Sequence, residues 1–162
     1  MPLLKDIKMD FEYTITRLIQ NGGVLFNVEG KTVSEIYANV FKIAELPDSY
    51  DKNAIVKELL EREKVLSTAV GNGIAIPHPR RPLMQKAEDQ RIYVCYLKDT
   101  IDMNAPDSRR VHVLFILLTN NTQYHIRSLS ELAKLFRSPE FRKELESHPS
   151  EDQLLDAIAA TF

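Results

Sequence analysis

The eight residues Val111–Leu118 read VHVLFILL, and His112 is the one polar side chain among them. A strand that buries only one face alternates apolar and polar residues, whereas a strand covered on both faces is apolar nearly throughout. Branched and aromatic side chains of this kind favour extended backbone. The segment therefore predicts a central strand of a sheet, with both of its faces buried.

Strand and helix patterns alternate on either side of this segment. Two further runs are typical of strands, VLFNV at 24–28 and RIYVCYL at 91–97. Helical spacing and capping signals predict helices in the segments 13–23, 31–46, 51–64, 122–136, 138–145 and 150–162. Strands separated by helices predict an α/β fold, a single three-layer domain with a mixed β-sheet flanked by helices on both faces. Residues 1–18 are expected to form an N-terminal extension, itself a candidate helix, and residues 19–162 the domain.

Length and charge limit the class of protein. The chain has 162 residues, 44% of them hydrophobic, which is enough for one core and short for two. The formal net charge of −2 argues against a nucleic-acid partner, because such proteins usually carry an excess of Lys and Arg. No run approaches the roughly 18 apolar residues of a membrane span, and charges interrupt the N-terminal segment, so neither membrane insertion nor a signal peptide is expected. Cys95 is the only cysteine, which excludes a disulfide within the chain and fits a cytoplasmic location.

A histidine lies between two prolines in the stretch STAVGNGIAIPHPR, which starts at position 67. Pro77 and Pro79 fix φ on either side of His78 and disfavour helical backbone before them, so the backbone there is predicted to be extended and stiff. Gly71 and Gly73 predict a turn that another surface or a phosphate group can approach closely. Two interpretations stay open on these residues alone. The imidazole is either a reactive group presented to a ligand or a loop histidine bonded to a nearby carbonyl.

The segment GNGIAIPH (71–78), preceded by EREKVLSTAV (61–70), resembles the signature of the enzyme IIA proteins of the bacterial phosphotransferase system. The similarity is to the fructose–mannitol (type 2) family, most of all to its nitrogen-regulatory members, and extends from around position 22 to the C-terminus. The resemblance implies the mannitol/fructose-type IIA fold and a phosphocarrier that uses no cofactor and no metal. It implies that His78 accepts a phosphoryl group from the phosphocarrier protein HPr or its nitrogen-branch counterpart NPr. It also makes His125 the second active-site histidine and Arg62 the active-site arginine.

The three residues suit phosphoryl transfer for separate physical reasons. The neutral imidazole of His78 is nucleophilic near pH 7, and its phosphoramidate is labile enough to pass the group on. Arg62 brings a permanent charge in a fork that matches phosphate oxygens. His125 is expected in the first turn of its helix, where an anion is favoured, and would donate a hydrogen bond without being modified. The family usually has a small residue after the active histidine; Pro79 departs from that pattern and bears on partner recognition more than on chemistry.

Each assignment has a structural alternative. Arg62 lies between two glutamates near a predicted helix end, where a solvated cation is common. His125 lies one position off an apolar stripe and would serve equally as a surface or capping residue. His112, within the buried strand, and His148, before a proline, are expected to be structural.

These residues are open to three functions from different classes. The favoured one is a regulatory phosphocarrier, phosphorylated on His78, whose state is read by a regulatory target protein. The alternative is a sugar-specific IIA component that passes the phosphoryl group to a fructose- or mannitol-type IIB domain. A metal hydrolase built on His78, His112 and His125 is disfavoured, because the sequence has no ligand spacing of the HExxH or CxxC kind.

Overall fold

The strand predicted at Val111–Leu118 lies in the middle of a mixed sheet. In the computed structural model, which describes residues 14–162, the strands are β1 Gly23–Val28, β2 Ala69–Gly71, β3 Ile74–Ala75, β4 Arg91–Ile101 and β5 Val111–Leu118. Their order across the sheet is β1-β4-β5-β3-β2. Strand β5 runs antiparallel to β4 and parallel to β3, while β1 is parallel to β4 and β2 is antiparallel to β3. The prediction of a central strand in a mixed sheet is confirmed.

Helices cover both faces of this sheet. They are α1 Ile15–Gly22, α2 Val33–Ile43, α3 Lys52–Val65, α4 Thr122–Phe136, α5 Pro139–Glu146 and α6 Glu151–Thr161, with a 3₁₀ turn at Ala87–Asp89. The apolar residues of α2 and α3 form one core cluster with the sheet, and those of α1, α4, α5 and α6 form a second cluster. The predicted three-layer α/β domain is therefore confirmed, and within residues 14–162 two helices lie on one face and four on the other.

The side chains of β5 divide between these two clusters by simple alternation. Leu114 and Ile116 belong to the cluster under α2 and α3, and Phe115 and Leu117 belong to the opposite one. All four have 0% exposure. Burying one such side chain contributes about 1.5–3 kcal/mol, so both faces of this strand need apolar residues. That requirement explains the continuous apolar run in the sequence.

The sequence reading missed the two shortest strands. Residues 67–80 were expected to be a glycine-rich turn and a small apolar run, but β2 and β3 form a hairpin within them. Its turn residues Asn72 and Gly73 have φ angles of 57° and 78°. Two successive positive φ angles are the backbone of a tight hairpin turn, for which Asn-Gly is the preferred pair. Strands of three and two residues are too short to show an alternating pattern.

The N-terminal boundary stays a prediction. Residues 1–13, which hold most of the expected extension 1–18, lie outside the described residues, and α1 runs across the expected boundary at position 18. Ile15 and Leu18 of α1 are buried at 2% and 1% exposure, so this helix packs as part of the domain. None of the helices between residues 14 and 162 combines the length and the apolar character required to cross a bilayer.

Candidate functional site

His78 follows the β2–β3 hairpin and is held by its own backbone. Its Nδ1 atom lies 2.7 Å from the carbonyl oxygen of Ile76. Because a carbonyl oxygen only accepts, Nδ1 carries the proton and Nε2 keeps its lone pair. The carbonyl of Pro77 accepts a hydrogen bond of 2.9 Å from the amide of Leu117 in the central strand. The imidazole is therefore fixed in one tautomer, and the residue before it is bonded to the central strand.

The geometry of His78 is compatible with both interpretations that the sequence left open. The ring is bonded to a nearby carbonyl, as in the structural alternative, yet that bond is the one that leaves Nε2 available. The side chain is half-buried rather than fully presented. Burial lowers the pKa of His78, partly offset by its bond to the carbonyl of Ile76. A lowered pKa keeps the imidazole neutral, which is the nucleophilic form, at pH 7.

The space beside the hairpin glycines is occupied by side chains of the same chain and not left open for a ligand. A Cβ atom on Gly73 would lie 2.6 Å from Cδ2 of His112, and one on Gly71 would lie 3.2 Å from a carboxylate oxygen of Asp107. The same carboxylate accepts a 2.8 Å hydrogen bond from the amide of Asn72. The expectation that these glycines open the backbone to a phosphate group is thus replaced by close internal packing, which fixes the hairpin against the loop before β5.

His125 is the fourth residue of α4 and faces His78. Their ring centroids are 5.1 Å apart, and their planes meet at 60°. Asn121 caps the helix, its side chain accepting from the amide of Tyr124 at 2.9 Å. The backbone amide of His125 is used within the helix, where it donates to the carbonyl of Asn121 at 3.1 Å. The ring, and not this amide, is therefore the part of His125 that can contact a group bound at His78.

The ring of His125 is neutral near pH 7. Burial first, then the nearby His78 and the charge of Arg62, lower its pKa to about 4. Its Nδ1 lies 3.4 Å from the hydroxyl of Thr119, a long contact. When that hydroxyl donates to Nδ1, the proton of the neutral ring is on Nε2. In this tautomer His125 offers one N–H donor toward an anion.

Arg62 lies in the last turn of α3 and acts on both histidines. Its guanidinium donates to the carbonyl of Leu66, just past the helix end. Its positive charge contributes to the lowered pKa of His78 and of His125. The side chain is half-buried, so it is not the fully solvated helix-end cation of the structural alternative. The structure thus brings all three predicted site residues together; their roles stay predictions.

Glu63 is the site neighbour that the sequence reading missed. Its Oε1 atom accepts from the hydroxyl of Tyr37 at 3.0 Å and from the hydroxyl of Thr68 at 2.6 Å. Its Oε2 atom accepts from the amide of Thr68 at 2.7 Å. Its charge also raises the pKa of His78, against the stronger effect of burial. The available signal was its place beside Arg62 in the quoted segment EREK.

His112 and His148 form a separate pair. The Nδ1 atom of His112 lies 3.1 Å from Nε2 of His148, with the ring centroids 5.3 Å apart. The ring of His148 also stacks on Tyr96, at 4.5 Å between centroids. These contacts fit the expected structural role. His78 pairs instead with His125, and within residues 14–162 no group of three or more His, Cys, Asp or Glu side chains is arranged to hold a metal ion.

Comparison with known proteins finds relatives along most of the chain. The chain is 33% identical over 149 residues to the nitrogen regulatory protein of Pseudomonas aeruginosa, an overlap of 89% of this chain and 94% of that protein. It is 30% identical over 149 residues to the PTS system fructose-specific EIIABC component of Bacillus subtilis, an overlap of 89% of this chain but 23% of that longer protein. The crystal structure of the nitrogen regulatory protein IIA-Ntr from Neisseria meningitidis has a TM-score of 0.69 and 27% identity, covering 83% of this chain and 91% of that one.

The family itself is identified by a match along almost the whole sequence. The sequence model described as phosphoenolpyruvate-dependent sugar phosphotransferase system, EIIA 2, matches residues 17–161. This span contains every helix and strand described above except the first two residues of α1. With its three-layer fold and its 33% identity to a nitrogen regulatory protein, the chain belongs to the EIIA type 2 family of the phosphoenolpyruvate-dependent phosphotransferase system.

Proposed function

We propose that this protein is a histidine phosphocarrier of the nitrogen-regulatory type, a phosphotransferase that receives its phosphoryl group on Nε2 of His78 from HPr or NPr. The observation that carries the proposal is the 2.7 Å bond from Nδ1 of His78 to the carbonyl of Ile76. That bond leaves Nε2 as the nucleophilic nitrogen of a neutral ring. A cytoplasmic location is part of this proposal, and the single cysteine is consistent with it.

The transfer step is an exchange between two nitrogens. The lone pair on Nε2 of His78 attacks phosphorus, and an N–P bond forms as the N–P bond of the donor's phosphohistidine breaks. The donor imidazole recovers the electron pair of that bond. Negative charge spreads over the three equatorial oxygens in the transition state, so positioned donors supply most of the catalysis. Arg62 provides the charged donor and His125 the neutral one.

An apolar rim beside these residues supports docking of a protein partner. It consists of Val65, Leu66 and Ile126, which are 65%, 70% and 62% exposed. Leu66 accepts the hydrogen bond of Arg62, and Ile126 is the residue after His125. Large apolar side chains exposed around a reactive group are typical of a protein-binding surface. Because this rim lies next to a single reactive histidine, the donor and the downstream partner would bind there in turn and not together.

A sugar-type role is the second candidate. The relative from Bacillus subtilis named as a fructose-specific EIIABC component supports it. In that role, phosphorylated His78 would pass its group to a fructose- or mannitol-type IIB domain, by the same exchange in the opposite direction. The regulatory role is favoured because the chain matches a nitrogen regulatory protein over 94% of that protein's length.

One reconstitution tests the proposal. The purified protein is mixed with phosphoenolpyruvate, enzyme I and either HPr or NPr from the same organism, and acid-labile phosphate on the chain is followed over time. Phosphorylation that requires a carrier and maps to His78 is the expected result. Faster labelling with NPr favours the regulatory role, and onward transfer to a fructose- or mannitol-type IIB domain favours the sugar role. No acid-labile phosphate with either carrier would refute the proposal.

A further inference from the structure

Glu63 lies where the helix that carries Arg62 meets the hairpin that carries His78. It is the third residue from the end of α3, and its carboxylate accepts three hydrogen bonds within 3.0 Å. Two of the donors belong to Thr68, directly before β2, and the third is the hydroxyl of Tyr37 on α2. A carboxylate with three short donors is held far more firmly than a solvated surface charge.

The contact continues through Thr68 to the imidazole. Thr68 is buried, with 5% exposure, and its carbonyl accepts a 3.0 Å hydrogen bond from the amide of Ile76. The carbonyl of Ile76 in turn accepts from Nδ1 of His78 at 2.7 Å. The carboxylate of Glu63 is thus connected to the imidazole of His78 through hydrogen bonds and the backbones of Thr68 and Ile76 alone.

Both oxygens of the Glu63 carboxylate are engaged by hydrogen bonds. A free carboxylate beside an incoming phosphoryl group would repel it, but the donors from Thr68 and Tyr37 engage both oxygens of this one. Burial, followed by the nearby Glu63, raises the pKa of Tyr37 well above its ordinary value, so its hydroxyl stays a donor. Glu63 therefore lies near the site without being suited to contact phosphate.

We infer that Glu63 is a positioning residue for phosphoryl transfer. Its carboxylate ties the end of α3 to the hairpin and so fixes the guanidinium of Arg62 relative to Nε2 of His78. This inference rests on the proposed function for its effect on transfer, but the geometry that it describes does not depend on that function. It assigns different tasks to two consecutive residues. Arg62 would bind the phosphoryl group, and Glu63 would hold the end of α3 against the hairpin.

The variant Glu63→Gln tests the inference, with Glu61→Gln as the matched control. The glutamine keeps the size of the side chain, but its amide nitrogen cannot accept from the amide of Thr68. Glu61 is exposed on the same helix, so its replacement removes an equal charge without that contact. Phosphoryl transfer by Glu63→Gln is expected to slow by about tenfold to a hundredfold, as for a small misplacement of reacting groups. Glu61→Gln is expected to keep the wild-type rate.

NMR titration of His78 supplies a readout that does not depend on phosphoryl transfer. The carboxylate of Glu63 raises the pKa of His78, so Glu63→Gln is expected to lower that pKa and Glu61→Gln to leave it in place. If Glu63→Gln titrates and transfers like the wild type, the inference is wrong. If the wild-type chain takes no phosphate from any carrier, the proposed function fails, and the titration alone decides the inference.

A milder variant covers the case in which Glu63→Gln does not fold. Thr68→Val keeps a branched side chain and the amide donor and removes only the hydroxyl that donates to Glu63 at 2.6 Å. Slower transfer by the folded Thr68→Val protein than by the wild type supports the inference. A wild-type rate in Thr68→Val overturns it.

Discussion

The imidazole rings of His78 and His125 face each other with their centroids 5.1 Å apart and their planes at 60°. One ring comes from a hairpin end and the other from the first turn of a helix, 47 positions further along the chain. At this separation a single phosphoryl group bound to Nε2 of His78 is within reach of a donor on the second ring. The pair is the geometric basis for the predictions on these two residues.

Replacement of His78 should abolish phosphorylation. His78→Ala removes the nitrogen that forms the N–P bond, so all acid-labile phosphate is expected to disappear in the reconstituted system. The matched control is His148→Ala, which removes a histidine of the separate His112–His148 pair and should keep the label. Label retained at His125 in the His78 variant would show that the two histidines have been assigned the wrong roles.

Loss of Arg62 should affect rate far more than stability. Arg62→Ala is expected to slow transfer by about tenfold to a thousandfold, the usual cost of removing one electrostatic donor to the transition state. Its melting temperature should change little, because the lost hydrogen bond to the carbonyl of Leu66 is at an exposed helix end. Stopped-flow transfer and thermal unfolding measure the two effects. The control is Lys64→Ala, which removes an exposed cation two residues further along the chain. Equal transfer rates in the wild type, Arg62→Ala and Lys64→Ala would show that Arg62 is only a surface charge.

The order of two variants tests whether His125 donates to the phosphoryl group. His125→Gln keeps an N–H donor and should still support phosphorylation of His78. His125→Ala leaves the anion without that donor in a partly desolvated site, a loss of about 1–3 kcal/mol, or about fivefold to 150-fold in rate. The measurement is the initial rate of phosphorylation of each variant. An alanine variant as fast as the glutamine variant contradicts the paired-histidine mechanism, even with the family assignment intact.

Acidification should destabilise the protein through His125. Its pKa is about 4 in the folded chain, against an ordinary value of 6.5, with burial as the main cause. Between these values the unfolded chain binds the proton and the folded chain does not, so stability falls as pH drops from 6.5 toward 4. Chemical denaturation at pH 7, 6 and 5 should show this loss in the wild type. His125→Gln has no such proton to bind and should lose less stability over the same interval; equal losses would mean that other groups control this range.

The hairpin turn should tolerate no side chain at Gly73. A Cβ atom there would lie 2.6 Å from the ring of His112, at a φ angle of 78°. Gly73→Ala is expected to lower the free energy of unfolding by about 1–3 kcal/mol, the range for strained backbone of this kind, with the clash in addition. Gly23→Ala, at a φ angle of 100° with no atom within 4 Å of the added Cβ, is a control for strain without a clash. Equal losses of unfolding free energy in the two variants would show that the ring of His112 moves aside without measurable cost.

The long elements were predictable because each follows one rule over many residues. The eight apolar residues of β5 required two covered faces, and the helices repeat their apolar stripe over two or more turns. The hairpin β2–β3 was missed because it has five strand residues in all. The hairpin is held in place by contacts between residues far apart in sequence, such as the hydrogen bond from the amide of Asn72 to the carboxylate of Asp107. No local sequence pattern contains such a contact.

In the candidate site, too, some residues could be predicted from the sequence and another could not. His78, His125 and Arg62 were found through a resemblance to a family and through residue chemistry, and no periodicity would have selected them. Glu63 was missed although it stands in the same quoted segment. Its task depends on Tyr37, 26 positions earlier, and on a hydrogen-bonded backbone that only the folded chain displays.

The bond from Leu117 to the carbonyl of Pro77 has a consequence for how a partner would recognise the phosphorylated protein. The residue before His78 is attached to the central strand, and the residue before that is attached to Thr68, so the backbone beneath the imidazole is tied on two sides. A phosphoryl group adds up to about two negative charges. Loaded and empty forms would therefore share one shape and differ in local potential, and a reader protein would need a cationic surface more than a moving loop to tell them apart.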